Sequence, residues 1–235
     1  MKTIKIADIR IRLNNRYDDV ELLCHDYIVD DEPFDFSVEV TEADISEEMK
    51  LADGDVSCGY AETVCLHRKI AEQLWRYDAF LLHAALISCD GEGYAFAARS
   101  GVGKSTHIGL WRKVFGDRVR VINGDKPIIR FTEEGILAYG TPWNGKEGFG
   151  ENDRCPLRAL GFLDRATDNK IEAIAVEEAT MRLFPQVFLP TDPSAMEKTL
   201  DLVDRFVNGV SFHHLYCNME EEAAQISYSG MTQNV

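Results

Sequence analysis

The sequence predicts a mixed α/β fold in which helices pack against a sheet rich in antiparallel strand pairs. Short apolar runs separated by turn signals such as Asp90-Gly91 indicate hairpins. A glycine-containing loop, 99–103, stands between such a hairpin and a stretch with helical periodicity. The chain has 235 residues, of which 45% are hydrophobic and 28% charged, as in globular proteins. A domain of this length buries enough surface to fold without disulfides or a structural metal.

The charge balance restricts the classes of partner. The chain carries 40 Asp and Glu against 25 Lys and Arg, a formal net charge of −15. Such a chain repels phosphate backbones and anionic headgroups, so we expect no nucleic acid and no membrane surface as a partner. No apolar run approaches the ~20 residues that a bilayer crossing needs. The first residues alternate instead of forming the apolar region of a signal peptide, and we therefore expect a cytoplasmic protein.

Cysteines and histidines show no metal-binding pattern. The six cysteines lack the C-x-x-C spacing of zinc and redox motifs, which indicates reduced, buried thiols. The adjacent pair His213-His214 falls on a predicted strand, where neighbouring side chains point to opposite faces. We therefore predict no metal site made by protein ligands alone. Nothing in the sequence specifies the oligomeric state, which stays open.

The first part of the chain is predicted to begin as sheet. Residues 4–13 alternate apolar and polar side chains, with a slip of phase near Ala7-Asp8. Residues 34–40 alternate as well. Their inward-facing side chains are predicted to be Phe34, Phe36, Val38 and Val40.

A helix is predicted to join this part to the rest of the chain. From Tyr60 to Tyr77, apolar residues at 60, 64, 71 and 74 follow a helical period. The helix leads directly into the next apolar run, without a Pro/Gly/Ser linker. We therefore predict a β-rich extension with a helix, 1–78, packed on a main domain, 79–235.

The main domain alternates predicted strands and helices. Residues 80–88 and 93–98 are predicted to form a hairpin. A helix follows the glycine loop and ends at Gly116, and a second helix begins at Asp192-Pro193 and ends at Gly209. A last helix over about 219–228 begins after Asn218, which forms a capping-box-like pair with Glu221. The other predicted strands are 119–123, 127–132, 136–140, 158–164, 170–176 and 212–217, with 158–164 and 170–176 paired as a hairpin.

The glycine loop resembles a phosphate-binding motif. Residues Ala98 to Thr106 fit the pattern G-x-x-x-x-G-K-[ST], except that Ala98 replaces the first glycine. Between a strand and a helix, backbone N–H groups and the helix dipole bind phosphate. Lys104 would reach the β- and γ-phosphates of a nucleotide, and Ser105 would hold Mg²⁺. The predicted cofactors are thus ATP and Mg²⁺, and the predicted binding residues are Ser100, Gly101, Val102, Gly103, Lys104, Ser105 and Thr106. The alternative is a chance Gly/Ser loop with a surface lysine.

Two further residues are candidates for catalysis. Asp125 closes the strand after the loop helix, where a carboxylate can coordinate Mg²⁺ or accept a hydroxyl proton. The alternative is that Asn-Gly-Asp at 123–125 is only turn chemistry. His83 lies in the strand run before the hairpin and is a second candidate, with a satisfied core histidine as the alternative.

The segment 139–151 is predicted to be a mobile lid. It contains four glycines among an aromatic residue, a base and acids. Lys146 would neutralise phosphate charge, and Glu147 would serve the metal or the substrate. The alternative is an ordinary solvated loop.

These residues together resemble a known superfamily. The stretches LLHAALI, SGVGKST, INGDKPIIR and GTPWNGKE are similar to the kinase domain of the HPr kinase and phosphoenolpyruvate carboxykinase-like superfamily, over about residues 80–217. The resemblance implies a P-loop fold with a mixed sheet, and Mg-ATP-dependent phosphorylation of a hydroxyl. It implies Lys104 and Ser105 as phosphate and magnesium ligands, Asp125 as base or metal partner, and His83 as the histidine before the loop. HPr kinases carry adjacent aspartates where this chain has Gly124-Asp125, so one acidic role is vacant or is filled by Glu147 or another residue.

The predicted function is that of a cytoplasmic kinase. It would transfer the γ-phosphoryl group of ATP to a serine-like hydroxyl on a peptide, protein or small metabolite. The alternative is a nucleotide-binding regulatory or scaffold protein that does not transfer phosphate, which Ala98 and Gly124 would fit. A domain that binds no nucleotide would require the loop, Asp125 and the glycine-rich segment all to be coincidental.

Overall fold

The computed structural model describes residues 1–30, 33–52 and 54–233. Its strands are β1 (Lys2–Ile6), β2 (Ile9–Asn14), β3 (Ile28–Val29), β4 (Phe36–Glu39), β5 (Ala79–Leu81), β6 (Ala85–Cys89), β7 (Glu92–Ala97), β8 (Val119–Asn123), β9 (Ile128–Thr132), β10 (Gly135–Tyr139), β11 (Arg154–Arg165), β12 (Lys170–Ala173) and β13 (Ser211–Cys217). Its α-helices are α1 (Asp18–Leu23), α2 (Glu42–Leu51), α3 (Cys58–Ala71), α4 (Lys104–Phe115), α5 (Val176–Leu183), α6 (Pro193–Gly209) and α7 (Glu221–Thr232).

The first part of the chain forms a four-stranded sheet in the order β3-β1-β2-β4. The predicted phase slip at Ala7-Asp8 is a two-residue turn, with φ of 51° and 59°, so that 4–13 is a hairpin instead of one strand. Buried side chains of this sheet and of α3 share one core cluster with residues of the second sheet, among them Leu137 and Tyr139. The division at residue 78 stays a prediction.

Three details of the first part differ from the prediction. Phe34 is exposed, and the Arg12 guanidinium lies 4.0 Å from its ring centroid. The predicted helix over 60–77 ends as α3 at Ala71, and a 3₁₀ turn, Leu74–Tyr77, follows it. Tyr60 is 57% exposed, because α3 buries the opposite side of that turn, including Ala61 and Cys65. The polar sequences of α1 and α2 gave no apolar period strong enough to predict them.

The second sheet is mixed and curled, which confirms the predicted α/β class. Its main path runs β5-β9-β10-β11-β7-β6-β8, and most neighbours are antiparallel. The long strand β11 is the exception, since it pairs in parallel with β7 and with β13. Adjacent residues of β7 face opposite layers: Tyr94 and Phe96 pack with α4 and α7, and Ala95 and Ala97 pack with α5 and α6. The sheet is therefore covered by helices on both faces.

Two predicted strand arrangements are wrong for non-local reasons. The apolar run 80–88 is two strands, since β5 pairs with β9 whereas β6 pairs with β7 and β8. The predicted hairpin of 158–164 with 170–176 does not form, because β13 lies between β11 and β12. Each of these strands has the apolar pattern expected of it, but the partner comes from a distant part of the chain.

The last helix begins differently from its prediction. Its N-cap is Glu220, without a side-chain hydrogen bond, and the Asn218 side chain accepts a 2.9 Å hydrogen bond from the Glu220 N–H. Asn218 therefore forms a turn before α7 instead of a capping box with Glu221. Among the described residues, no helix combines the length and apolar character that crossing a bilayer requires. The six cysteines are all free thiols.

A buried histidine on α4, His107, contacts α7 and makes the stability of the protein depend on pH. His107 is 3% exposed, and its Nε2 accepts a 3.1 Å hydrogen bond from the Trp111 indole. Burial lowers the pKa of His107 to about 3. Because the unfolded chain binds this proton near pH ~6.5, stability is full above that pH and falls as pH drops toward the folded pKa, by about 1.4 kcal/mol per pH unit.

We expect the His107→Gln variant to be less stable at neutral pH but to lose less stability on acidification. Urea unfolding between about pH 7 and about pH 5 measures the slope. His25→Gln is the matched control, because the His25 side chain is 83% exposed. Equal slopes in wild type and His107→Gln would contradict the linkage.

Candidate active site

The break between β5 and β6 places His83 in the short connection between the two strands. The His83 N–H donates a 2.7 Å hydrogen bond to the Gln186 carbonyl, and the next residue, Ala84, donates a 3.1 Å bond to the Asp125 carbonyl. The backbone at this break is therefore paired with the chain that follows β8 and with the chain that follows α5. His83 lies beside Asp125 as a result, with 3.1 Å between His83 Nε2 and Asp125 Oδ1.

Lys104 is the first residue of α4 and points toward the same place. The loop before it turns through Gly101 and Gly103, whose backbone φ angles are 78° and 131°. Residues other than glycine rarely adopt such positive φ angles. The Lys104 side chain is only 10% exposed. Its Nζ lies 3.0 Å from His83 Nε2 and 3.8 Å from Asp125 Oδ1. Three predicted site residues, His83, Lys104 and Asp125, are thus brought together.

An asparagine turn orients Asp125. The buried Asn123 side chain accepts hydrogen bonds from the N–H groups of Asp125 (2.8 Å) and Lys126 (2.6 Å). Its own amide donates a 3.1 Å bond to the Thr141 carbonyl, which holds the turn against the next segment. The Asn-Gly-Asp turn and the candidate site residue are therefore the same structure. The turn is confirmed, and a catalytic role for Asp125 stays a prediction.

Lys126 is a site residue that the sequence analysis missed. Its Nζ lies 2.6 Å from Asp125 Oδ2, so His83 and Lys126 occupy the two oxygens of one carboxylate. The signal was available, since a lysine directly follows the candidate Asp125. A lysine at a turn is usually solvated, however, and only the packed segment 185–188 beside it makes this one part of a site.

The electrostatics of the cluster favour a charged carboxylate. Burial raises the pKa of Asp125, but hydrogen bonds from His83 and Lys126 outweigh burial and hold that pKa well below its ordinary value. Burial lowers the pKa of Lys104, and the nearby Asp125 carboxylate opposes that change. The cluster therefore contains one carboxylate among two lysines and a histidine.

Arg165, the last residue of β11, holds the glycine loop through hydrogen bonds to its backbone. The Arg165 guanidinium donates to the Val102 carbonyl at 2.9 Å and also to the Gly101 carbonyl. Sequence analysis missed Arg165, because it is 62 residues or more from the loop and carries no motif. Among the other predicted loop residues, Ser100 and Thr106 are exposed, and Ser105 is half-buried on the first turn of α4.

The segment 140–151 is attached near both ends, to the second sheet at one and to α3 at the other, unlike a lid that is free along its length. The Gly124 N–H donates to the Phe149 carbonyl at 2.8 Å, and the Glu151 N–H donates to the Ile122 carbonyl at 3.1 Å. Near the other end, the Trp143 indole donates a 3.0 Å bond to the Thr63 carbonyl. The exposed stretch is 145–150, which contains Lys146 and Glu147. The Glu147 carboxylate is near enough to raise the pKa of Lys104, and a role for Lys146 stays a prediction.

Close packing of the backbone explains why position 124 is a glycine. A Cβ at this position would lie 2.5 Å from the Asn144 carbonyl oxygen and 3.1 Å from the Phe149 carbonyl oxygen. The backbone of the glycine-rich segment therefore crosses directly over Gly124. A second acid at this position would displace that segment.

We expect Gly124→Ala to lower the free energy of unfolding by about 1–3 kcal/mol, because backbone atoms must move to make room. Gly109→Ala is the matched control, since a Cβ at Gly109, within α4, meets nothing within 4 Å. The control should stabilise the protein by about 0.5–1 kcal/mol through helix propensity. Urea unfolding of both variants checks the pair, and equal effects would contradict the close approach at Gly124.

The oxygen donors at this site suit magnesium only together with a phosphate ligand. Within the described residues, no group of three or more His, Cys, Asp or Glu is placed to hold a metal ion. Mg²⁺ usually takes one or two protein oxygens and completes its shell with water and substrate phosphates. The Ser105 hydroxyl and the Asp125 carboxylate would be such a minimal set, and their role as magnesium ligands stays a prediction.

Comparison with known proteins gives similarity to solved structures but not to family profiles or curated sequences. No protein-family profile matches the chain. No curated protein matches it in sequence. Among solved structures, the HPr(Ser) kinase/phosphatase from Coxiella burnetii aligns with a TM-score of 0.31 and 10% identity, over 55% of this chain and 89% of that one. At this score the similarity does not assign a family or a function.

Proposed function

We propose that the protein binds Mg-ATP at the 98–106 loop and transfers the γ-phosphoryl group to a hydroxyl. One observation carries the proposal: Lys104, Lys126 and His83 converge on the single carboxylate of Asp125 at the amino end of α4. In a chain of net charge −15, such a local excess of basic groups is unusual. A helix amino terminus adds unpaired N–H groups of the same electrostatic sign. The site therefore suits a multiply charged anion.

Each residue of the site has its own role in the proposed reaction. Lys104 and the first turn of α4 would bind the β- and γ-phosphates, and Ser105 and Asp125 would hold Mg²⁺, which would supply charge neutralisation. Asp125 accepts the proton of the acceptor hydroxyl. The acceptor oxygen forms a bond to the γ-phosphorus, the bond to the bridging oxygen breaks, and ADP leaves with that electron pair.

One observation favours a second function, nucleotide binding without transfer. The backbone crossing at Gly124 leaves no space for a second acid at this position. If Glu147 does not supply that role, the site binds nucleotide but lacks a complete catalytic set.

Two measurements test the proposal. Mg-ATP should raise the unfolding free energy by about 2.7 kcal/mol at a hundredfold excess over Kd. Incubation with γ-labelled ATP and a cell lysate separated by size should then move label to a defined fraction. An unchanged melting curve with Mg-ATP would contradict both functions, whereas binding without label transfer would support the second.

A further inference from the structure

A cavity lies next to the His83-Asp125 pair, with His83 in its wall. Its volume is about 380 Å³, within the range of small-molecule sites. His83 and Lys126 form the wall that adjoins the cluster. Much of the remaining wall is apolar, including Val64, Leu81 and Phe188. Among the described residues that line the cavity, none comes from the 98–106 loop.

The segment 185–188 forms part of the cavity wall and is held by the chain between β5 and β6. The Phe188 N–H donates a 3.1 Å bond to the Leu81 carbonyl, and the Gln186 carbonyl accepts the 2.7 Å bond from His83. Gln186 is thereby placed between the cavity and the catalytic cluster. The same backbone pairing that positions His83 positions this wall.

Two buried polar atoms in the cavity wall have no hydrogen-bond partner among the described residues. They are His67 Nε2 and Gln186 Oε1. Leaving such a group unsatisfied costs about 1–3 kcal/mol. Burial, aided by the positive charge of Lys126, lowers the pKa of His67 to about 3, so the imidazole is neutral at pH 7. A neutral imidazole and an amide oxygen bind hydroxyl or N–H groups.

We propose that this cavity binds the phosphoryl acceptor, and that the acceptor is a small molecule with an apolar body, a hydroxyl group and a second hydrogen-bond donor. The proposal rests on the proposed function, which places the nucleotide phosphates at Lys104 and the loop. An acceptor in the cavity meets His83 and Lys126 at its inner end, next to Asp125. The apolar wall contacts the body of the acceptor, and Gln186 and His67 orient its polar groups.

A probe of this chemistry is 1,4-benzenedimethanol, with p-xylene as the hydrocarbon of the same shape. Trp143 reports occupancy through its fluorescence, because its ring centroid lies 4.7 Å from that of His67. Two net hydrogen bonds should make the diol bind on the order of tenfold more tightly than p-xylene. Gln186→Met should remove much of that preference, and Gln225→Met, at an exposed position on α7, should not.

A second variant separates the cavity from the nucleotide site. Val64→Phe fills the cavity and should abolish diol binding while the stabilisation by Mg-ATP is unchanged; if it fails to fold, Gln186→Met alone carries the test. No diol binding to the wild type, or equal binding of p-xylene, would overturn the proposal. Equal loss of Mg-ATP binding in Val64→Phe would overturn it in favour of a nucleobase pocket. Diol binding without any Mg-ATP binding would instead overturn the proposed function, and with it the acceptor role.

Discussion

We expect Asp125→Asn to lower the rate of phosphoryl transfer by about two or more orders of magnitude. The substitution keeps the shape of the side chain but removes its charge and its ability to accept the hydroxyl proton. His83, Lys104 and Lys126 all lie within 3.8 Å of this carboxylate, so the variant also loses its ion pairs. Its melting temperature should fall, and rates must be compared at a temperature where both proteins are folded.

The kinetic parameters distinguish a catalytic from a structural role. Loss of a base that also contacts Mg²⁺ lowers kcat by about two or more orders of magnitude and raises the nucleotide KM only modestly, whereas a distorted site raises KM by a comparable factor. Asp90→Asn is the matched control, because Asp90 pairs with Arg118 at the β6-β7 turn, at the opposite end of β6 from His83. Wild-type turnover in Asp125→Asn would show that Asp125 is only a turn residue.

We expect Lys104→Ala to abolish most of the stabilisation by Mg-ATP. At a hundredfold excess over Kd the wild type gains about 2.7 kcal/mol, and a large increase in Kd removes that gain. The ligand-free variant is not expected to be greatly destabilised, since burial already opposes the charge of Lys104. Melting curves across a series of Mg-ATP concentrations measure the effect.

The same helix offers a control for this variant. Lys113 lies near the end of α4, is 67% exposed and pairs with Glu221. Lys113→Ala removes the same charge from the same helix without touching the loop, and its response to Mg-ATP should match the wild type. If Lys104→Ala and Lys113→Ala respond alike, the loop does not bind nucleotide phosphates.

Local rules predicted most of the elements near the site. The β6-β7 hairpin follows from Asp90-Gly91, whose φ angles of 53° and 88° suit a two-residue turn. The Asp192 side chain caps α6 at 2.9 Å from the Ala195 N–H, as the Asp-Pro pair indicates. The strand at 119–123 is also confirmed. In each case the determining residues are neighbours in the chain.

The sequence by itself determined the fold class, the glycine loop before α4, and the candidates His83, Lys104 and Asp125. The tertiary structure decided what those residues contact. The break at His83 exists because β5 and β6 pair with different strands, and Lys126 joins the site because the asparagine turn directs it back to Asp125. Gly124 is explained by a backbone about 20 residues further along the chain, and the cavity wall that includes His67 is completed by a segment more than 100 residues away. Such contacts depend on which distant segments pack together, and no local period or motif encodes that choice.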